Sequence, residues 1–151
     1  MQGKGQLHIS APPKKVYQLI SDVTRMGEWS PECYKCEWLD GATAPVVGAR
    51  FRGYNRRGWL KWTTTPRITE ADPGLVFAFE VDQWGGRNRT IWRYEFEPEE
   101  GGTRLTESFH VLKYVRIVTR LFYGGPQRRQ AELEEGVRQT LKRIKAVAEA
   151  R

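Results

Sequence analysis

From residue 34 to residue 111, apolar and polar side chains alternate in short runs; after Gly124-Gly125-Pro126 the repeat lengthens to steps of three and four. A period of two marks a half-buried strand, and a period near 3.6 an amphipathic helix. Over 127–148, Leu133, Val137, Leu141, Ile144 and Ala148 form one apolar stripe, so the spacing predicts a long helix with a single buried face. The extended runs are 34–39, 49–55, 60–70, 75–81, 90–97 and 103–111. Asp40-Gly41, Arg57-Gly58, Asp72-Pro73-Gly74, Gly85-Gly86 and Glu100-Gly101-Gly102 separate them, the punctuation of an antiparallel meander. Ahead of them, Gln2–Ile9 alternates weakly as a first strand. Ser10-Ala11-Pro12-Pro13 stops it and starts a short helix that buries Val16, Leu19 and Ile20, with Ser10 able to cap, and 22–29 reads as a second short helix. The expectation is one α+β domain over 1–151, with seven strands in a curved antiparallel sheet, two short helices and a long C-terminal helix.

Alternation also assigns faces, because a residue and its second neighbour share a side of a sheet. One side collects Cys36, Trp38, Phe51, Asn55, Trp62, Thr64, Ile68, Phe77, Phe79, Trp92, Tyr94, Phe96, Leu105, Glu107 and Phe109. The other collects Arg52, Lys61, Arg67, Glu80, Arg93, Glu95, Arg104 and Ser108. A helix with one apolar stripe requires one large apolar partner, and the first face is the only candidate. A strongly curved sheet gripping one helix leaves a hollow between them, and function is expected in that hollow.

Composition narrows this further. No run approaches the roughly 18 to 20 apolar residues of a membrane-spanning helix, and residues 1–10 lack the long apolar stretch of a cleaved leader, so the chain reads as cytoplasmic. The net charge of +7 favours phosphates, anionic lipid or an acidic ligand. The excess is scattered around turns, without basic and stacking residues alternating on one surface, which argues against a dedicated nucleic-acid site. Cys33 and Cys36 form a lone C-x-x-C within a strand-like stretch, where side chains three apart point to opposite faces. One buried and one exposed thiol are expected, and no metal site, since His8 and His110 are the only histidines.

The order of elements, carried by Gly48-Ala-Arg-Phe-Arg-Gly-Tyr-Asn-Arg-Arg-Gly58, Trp62-Thr-Thr-Thr and Gly102-Thr-Arg-Leu-Thr106, resembles the START-like, helix-grip superfamily, in its bacterial polyketide cyclase/dehydrase and lipid-transport branch. The resemblance spans essentially the whole chain and implies the helix-grip fold, with a hydrophobic or amphiphilic small molecule, lipid-like or polycyclic, held between sheet and helix. The branch contains carriers, aromatase/cyclases and proteins of other action, so no catalytic residue carries over from it.

The candidate ligand-binding set is Phe51, Asn55, Trp62, Phe77, Phe79, Trp92, Tyr94, Glu107 and Phe109 on the sheet, with Leu133, Val137 and Leu141 on the helix. Aromatic side chains either line a pocket or fill it. Glu107, between inward Leu105 and Phe109, is a carboxyl in an apolar setting, which raises its pKa and suits it to exchange a proton or hold a ligand hydroxyl; a position at an open rim, or pairing with an arginine, is the alternative. Asn55 and Tyr94 offer an amide and a phenol beside it, so Glu107 and Tyr94 are the catalytic candidates if a reaction occurs. His8 and His110 point away from this face, which removes support for histidine acid/base chemistry, and no phosphate loop, nucleophile elbow or dinucleotide motif is present. No cofactor is indicated.

Residues 111–123 keep helical spacing through Leu112, Val115, Val118, Leu121 and Phe122, with Lys113, Arg116 and Arg120 as a basic line. Such a segment is a lid over the pocket, a foot on an anionic membrane surface, or a packed connector. Three readings follow: a carrier of a hydrophobic small molecule, a cyclase/dehydrase-type enzyme using Glu107, and a toxin-like or regulatory protein acting through its basic surface.

Overall fold

The computed structural model describes residues 1–150. The strands are β1 (Gln2–Ile9), β2 (Cys33–Trp38), β3 (Phe51–Arg57), β4 (Leu60–Thr64), β5 (Arg67–Asp72), β6 (Val76–Gln83), β7 (Asn88–Glu99) and β8 (Gly102–Lys113). The helices are α1 (Pro13–Ser21), α2 (Arg116–Tyr123) and α3 (Pro126–Glu149), with a 3-10 segment at Val23–Glu28. This is the helix-grip arrangement with eight strands rather than seven. The run 60–70 breaks at Pro66, which has no N–H for a ladder; its carbonyl instead accepts from Phe51 N at 3.1 Å.

All ladders are antiparallel, in a five-stranded sheet of order β1-β8-β7-β6-β5 and a three-stranded sheet of order β2-β3-β4. The sheets meet where residues 48–51 run beside 66–68, through the bridge Arg50–Arg67 and the bond from Ile68 N to Ala49 O at 2.9 Å. Together they wrap around the helices.

The long helix lies against β1 because two glycines there leave room. A Cβ on Gly5 would stand 3.0 Å from Val137 Cγ1 and 3.2 Å from Leu141 Cδ1, so the helix packs directly on backbone. Val137, Leu141, Ile144 and Ala148 are buried in this seam. Around α1, Tyr17 packs edge-on against Phe77 and Phe96, at 6.2 and 5.5 Å between ring centres. Ser10 does not cap α1: the residue preceding the helix is Pro12, and Ser10 N bonds Glu149 Oε2 on α3 at 3.0 Å instead. Asp22 caps the 3-10 segment by accepting from Thr24 N at 3.2 Å. The expected helix at 111–123 begins only at Arg116, because 111–113 extend β8.

Candidate functional site

Where the first half of α3 parts from the sheet, a cavity of about 320 Å³ remains between β2–β4, β6–β8, α2 and α3. Its floor is the inward face of the strands and its roof is α2 with one side of α3, through Leu133, Gly136 and Thr140. Val115, Val118, Thr119 and Phe122 close the end beneath α2, and Gly124, in a left-handed conformation with φ 79°, turns the chain from α2 into α3.

Of the candidate residues, Phe51, Asn55, Trp62, Phe79, Trp92, Tyr94, Glu107 and Leu133 line this cavity. Phe77, Phe109, Val137 and Leu141 are buried but lie outside its wall. Phe77 is covered by Tyr17 of α1, Phe109 packs against Trp92 with ring centres 5.6 Å apart, and Val137 and Leu141 sit over Gly5. Phe77 and Phe109 point inward as alternation requires, and Val137 and Leu141 lie on the apolar stripe of α3, but all four sit where the inner face is already covered.

Glu107 sits deep in the wall, 2% exposed, with Tyr94 opposite it across the β7–β8 ladder. Burial pushes its carboxyl up to about 8, against a smaller lowering by a hydrogen bond from Tyr94. Its Oε2 is buried without a partner. The Tyr94 phenol is itself driven well above its ordinary value, first by burial and then by the Glu107 charge. At neutral pH the carboxyl is therefore largely protonated, and with the Tyr94 phenol donating to it, the unpartnered Oε2 is left as a polar contact free for a guest in an apolar chamber. Asn55 makes only long contacts, from Nδ2 to Gly53 O at 3.4 Å and to Thr64 Oγ1 at 3.5 Å, which leaves its amide available at the cavity edge.

The thiols correct the expectation from strand geometry. Cys33 and Cys36 are both buried, both line the cavity, and stand 3.2 Å apart. A bulge between Cys33 and Lys35 inserts one residue, so Cys33 pairs with Asn55 and Cys36 with Gly53, and the two share a face. The Cys36 hydrogen bond lowers the Cys33 thiol, opposed by burial, while Cys36 is raised.

A polar clamp missed by sequence reasoning borders the cavity. Arg129 grips Glu32 through both terminal nitrogens, at 2.6 and 2.9 Å, and its guanidinium lies 4.2 Å from the Tyr123 ring centre. Arg57 reaches Glu132 through Nε at 2.8 Å and the Phe122 carbonyl at 2.9 Å. The clamp ties the end of α2 to β2, β3 and α3. Of these residues Glu32, Arg129 and Glu132 line the cavity, so the guanidinium on its wall is paired. No sequence spacing joins positions this far apart.

His8 and His110 lie away from the cavity. His8 Nδ1 pairs with Glu99 at 2.5 Å, and His110 is exposed. Among the described residues no group of three or more His, Cys, Asp or Glu side chains could hold a metal, and no helix is long and apolar enough to cross a membrane.

Solved structures share this architecture. A protein of Chromobacterium violaceum is 21% identical with TM-score 0.72, covering 99% of this chain and 98% of its own. The Zhui aromatase/cyclase of a Streptomyces species is 17% identical with TM-score 0.77, covering 99% of this chain and 93% of its own. The polyketide-cyclase-like protein of Corynebacterium glutamicum is 35% identical with TM-score 0.57, covering 98% of this chain and 91% of its own. A search of curated proteins finds no match. The profile described as polyketide cyclase/dehydrase and lipid transport matches residues 4–149. The chain belongs to the polyketide cyclase/dehydrase and lipid transport family.

Proposed function

We propose that the protein binds an uncharged, largely apolar small molecule that offers a carbonyl or hydroxyl oxygen to Glu107 and Tyr94. The observation that carries this reading is the buried, unpartnered Glu107 Oε2 in the wall of the cavity. A buried polar atom without a partner costs about 1–3 kcal/mol, a cost that a ligand oxygen or hydroxyl would relieve. Size sets the class: a cavity of about 150 Å³ holds a benzene ring, so 320 Å³ suits roughly two rings or a comparable branched chain. Charge sets it too. With Arg129 paired to Glu32, and Glu132 also on the wall, a ligand carboxylate would meet no free side-chain cation among the described residues that line it.

Carriage is the first reading; a cyclase/dehydrase-type reaction is the second. The second is favoured by the raised Glu107 carboxyl, poised near neutral pH to give or take a proton beside a phenol. Both use the same contacts. The name of the Streptomyces neighbour, an aromatase/cyclase, adds a likeness of fold.

The test is native mass spectrometry of the protein purified from its host, followed by titration with 6-propionyl-2-(dimethylamino)naphthalene, an uncharged, fluorescent two-ring naphthyl ketone. A co-purifying neutral aromatic or isoprenoid-like species and saturable probe binding are expected. Glu107→Leu, which cannot bond a ligand oxygen, should weaken binding of a naphthyl ketone by about tenfold, whereas Glu107→Gln should hold it within about threefold. Equal binding by all three proteins would remove Glu107 from the site. Turnover of a candidate poly-β-ketone by wild type but not by Glu107→Gln would favour the enzyme reading.

A further inference from the structure

We propose that the α2 end of the molecule is a docking face for an anionic lipid bilayer, through which the guest enters the cavity. This rests on the reading of the cavity as a site for an apolar guest.

Three elements frame that end: the β3–β4 turn, the β6–β7 turn and α2. Arg57, at the first turn, donates to the Phe122 carbonyl of α2, and residues 85–87 of the second turn share a surface depression with 112–116. On these elements and the end of β8 that leads into α2 stand six of the ten large apolar side chains exposed among the described residues: Trp59 at 86%, Leu121 at 72%, Ile117 at 66%, and Trp84, Leu112 and Phe122. Clustering of this kind marks an interaction surface rather than scatter.

The short helix has two apolar sides. Val115, Val118, Thr119 and Phe122 line the cavity, whereas Ile117 and Leu121, one turn apart, face out with Arg116 and Arg120 beside them. A connector helix needs only its inner side to be apolar.

Charge identifies the partner. Segments 41–69, 83–94 and 108–131, which supply all three framing elements, contain no Asp or Glu. Arg87, Lys113, Arg116, Arg120 and Arg128 are all exposed on or next to them. Apolar tips that enter the headgroup boundary, together with cations that meet anionic headgroups, bind where either alone is weak. Indoles at the turns suit that interface. The tips protrude from separate elements with arginines between them, which fits a deformable anionic surface better than the packed apolar core of a protein interface. Trp84 and Phe122 belong both to this exposed face and to the cavity wall, so a guest passing between them from the bilayer would avoid bulk water.

The test is co-sedimentation of the full chain with phosphatidylcholine vesicles and with mixed phosphatidylcholine/phosphatidylglycerol vesicles. Binding to mixed vesicles should be at least about tenfold tighter, and the gain should fall steeply with added salt. Ile117→Glu/Leu121→Glu, at exposed positions outside the cavity wall, should lose about tenfold or more on mixed vesicles while keeping the melting temperature and 6-propionyl-2-(dimethylamino)naphthalene binding in solution. Leu75→Glu, an exposed apolar position at the other end of β6, should bind vesicles as wild type does. Equal affinity for the two vesicle types, equal losses in the two variants, or binding to heparin without binding to vesicles would each overturn the proposal. Vesicle binding that persists when the probe fails to enter the cavity would sink the cavity reading and leave the docking face standing.

Discussion

Glu107→Gln melts about 10 °C or more above the wild type at pH 9, and the two melt nearly together at pH 4. The reason is linkage. The folded protein holds the Glu107 proton until pH reaches about 8, whereas an unfolded chain releases it near 4.5. Between these values the folded state binds more protons than the unfolded state, so stability falls as pH rises. At 1.36 kcal/mol per pH unit the wild type gives up about 5 kcal/mol across that window and nothing further above it. Glutamine has nearly the same shape and no charge to bury, so the variant escapes this loss. Other titrating groups act alike in both proteins and cancel in the comparison. Thermal melts at half-unit pH intervals read the difference directly, and parallel curves would show that Glu107 is not held in an apolar wall.

Gly136→Phe abolishes most guest binding while leaving the protein folded. Gly136 faces the cavity from α3, and a Cβ there would meet only Pro31 Cγ at 3.4 Å, an ordinary contact. Replacing a glycine inside a helix also gains up to about 1 kcal/mol of helix propensity, which offsets part of any strain. A phenyl ring takes on the order of 150 Å³, about half the space, leaving too little of the 320 Å³ for a two-ring guest. The expected loss is thirtyfold or more in probe affinity, about 2 kcal/mol, with Tm held or raised. Unchanged affinity in a folded variant would move the guest out of this cavity.

The inward face of the sheet was legible because the side-chain period of a strand is fixed; Phe51, Phe79, Tyr94 and Glu107 all lie where alternation puts them. What alternation cannot give is the depth of empty space above a given residue. Val137 and Leu141 belong to the apolar stripe of α3, yet that stripe rests on β1, and the cavity is roofed by the neighbouring line of Leu133, Gly136 and Thr140. The cue was Gly3 and Gly5 on β1, whose lack of side chains invites close approach; it becomes readable only once the register of β1 against the helix is known. Cys33 shows a second limit. A bulge changes the parity of every residue before it, and nothing in Cys33-Tyr34-Lys35-Cys36 announces the extra residue. The clamp of Arg57, Arg129, Glu32 and Glu132 is legible only in three dimensions, since its members come from strand, loop and helix.

The most direct measurement is the affinity of an uncharged naphthyl ketone for the wild-type protein from pH 6 to pH 10, set beside naphthoate and naphthylmethylamine of the same size. The ketone should bind tightest of the three, at constant affinity up to about pH 8, and then weaken as Glu107 loses the proton it donates. Tighter binding of the carboxylate or the amine, or a ketone affinity flat to pH 10, would contradict a neutral guest held by a protonated Glu107.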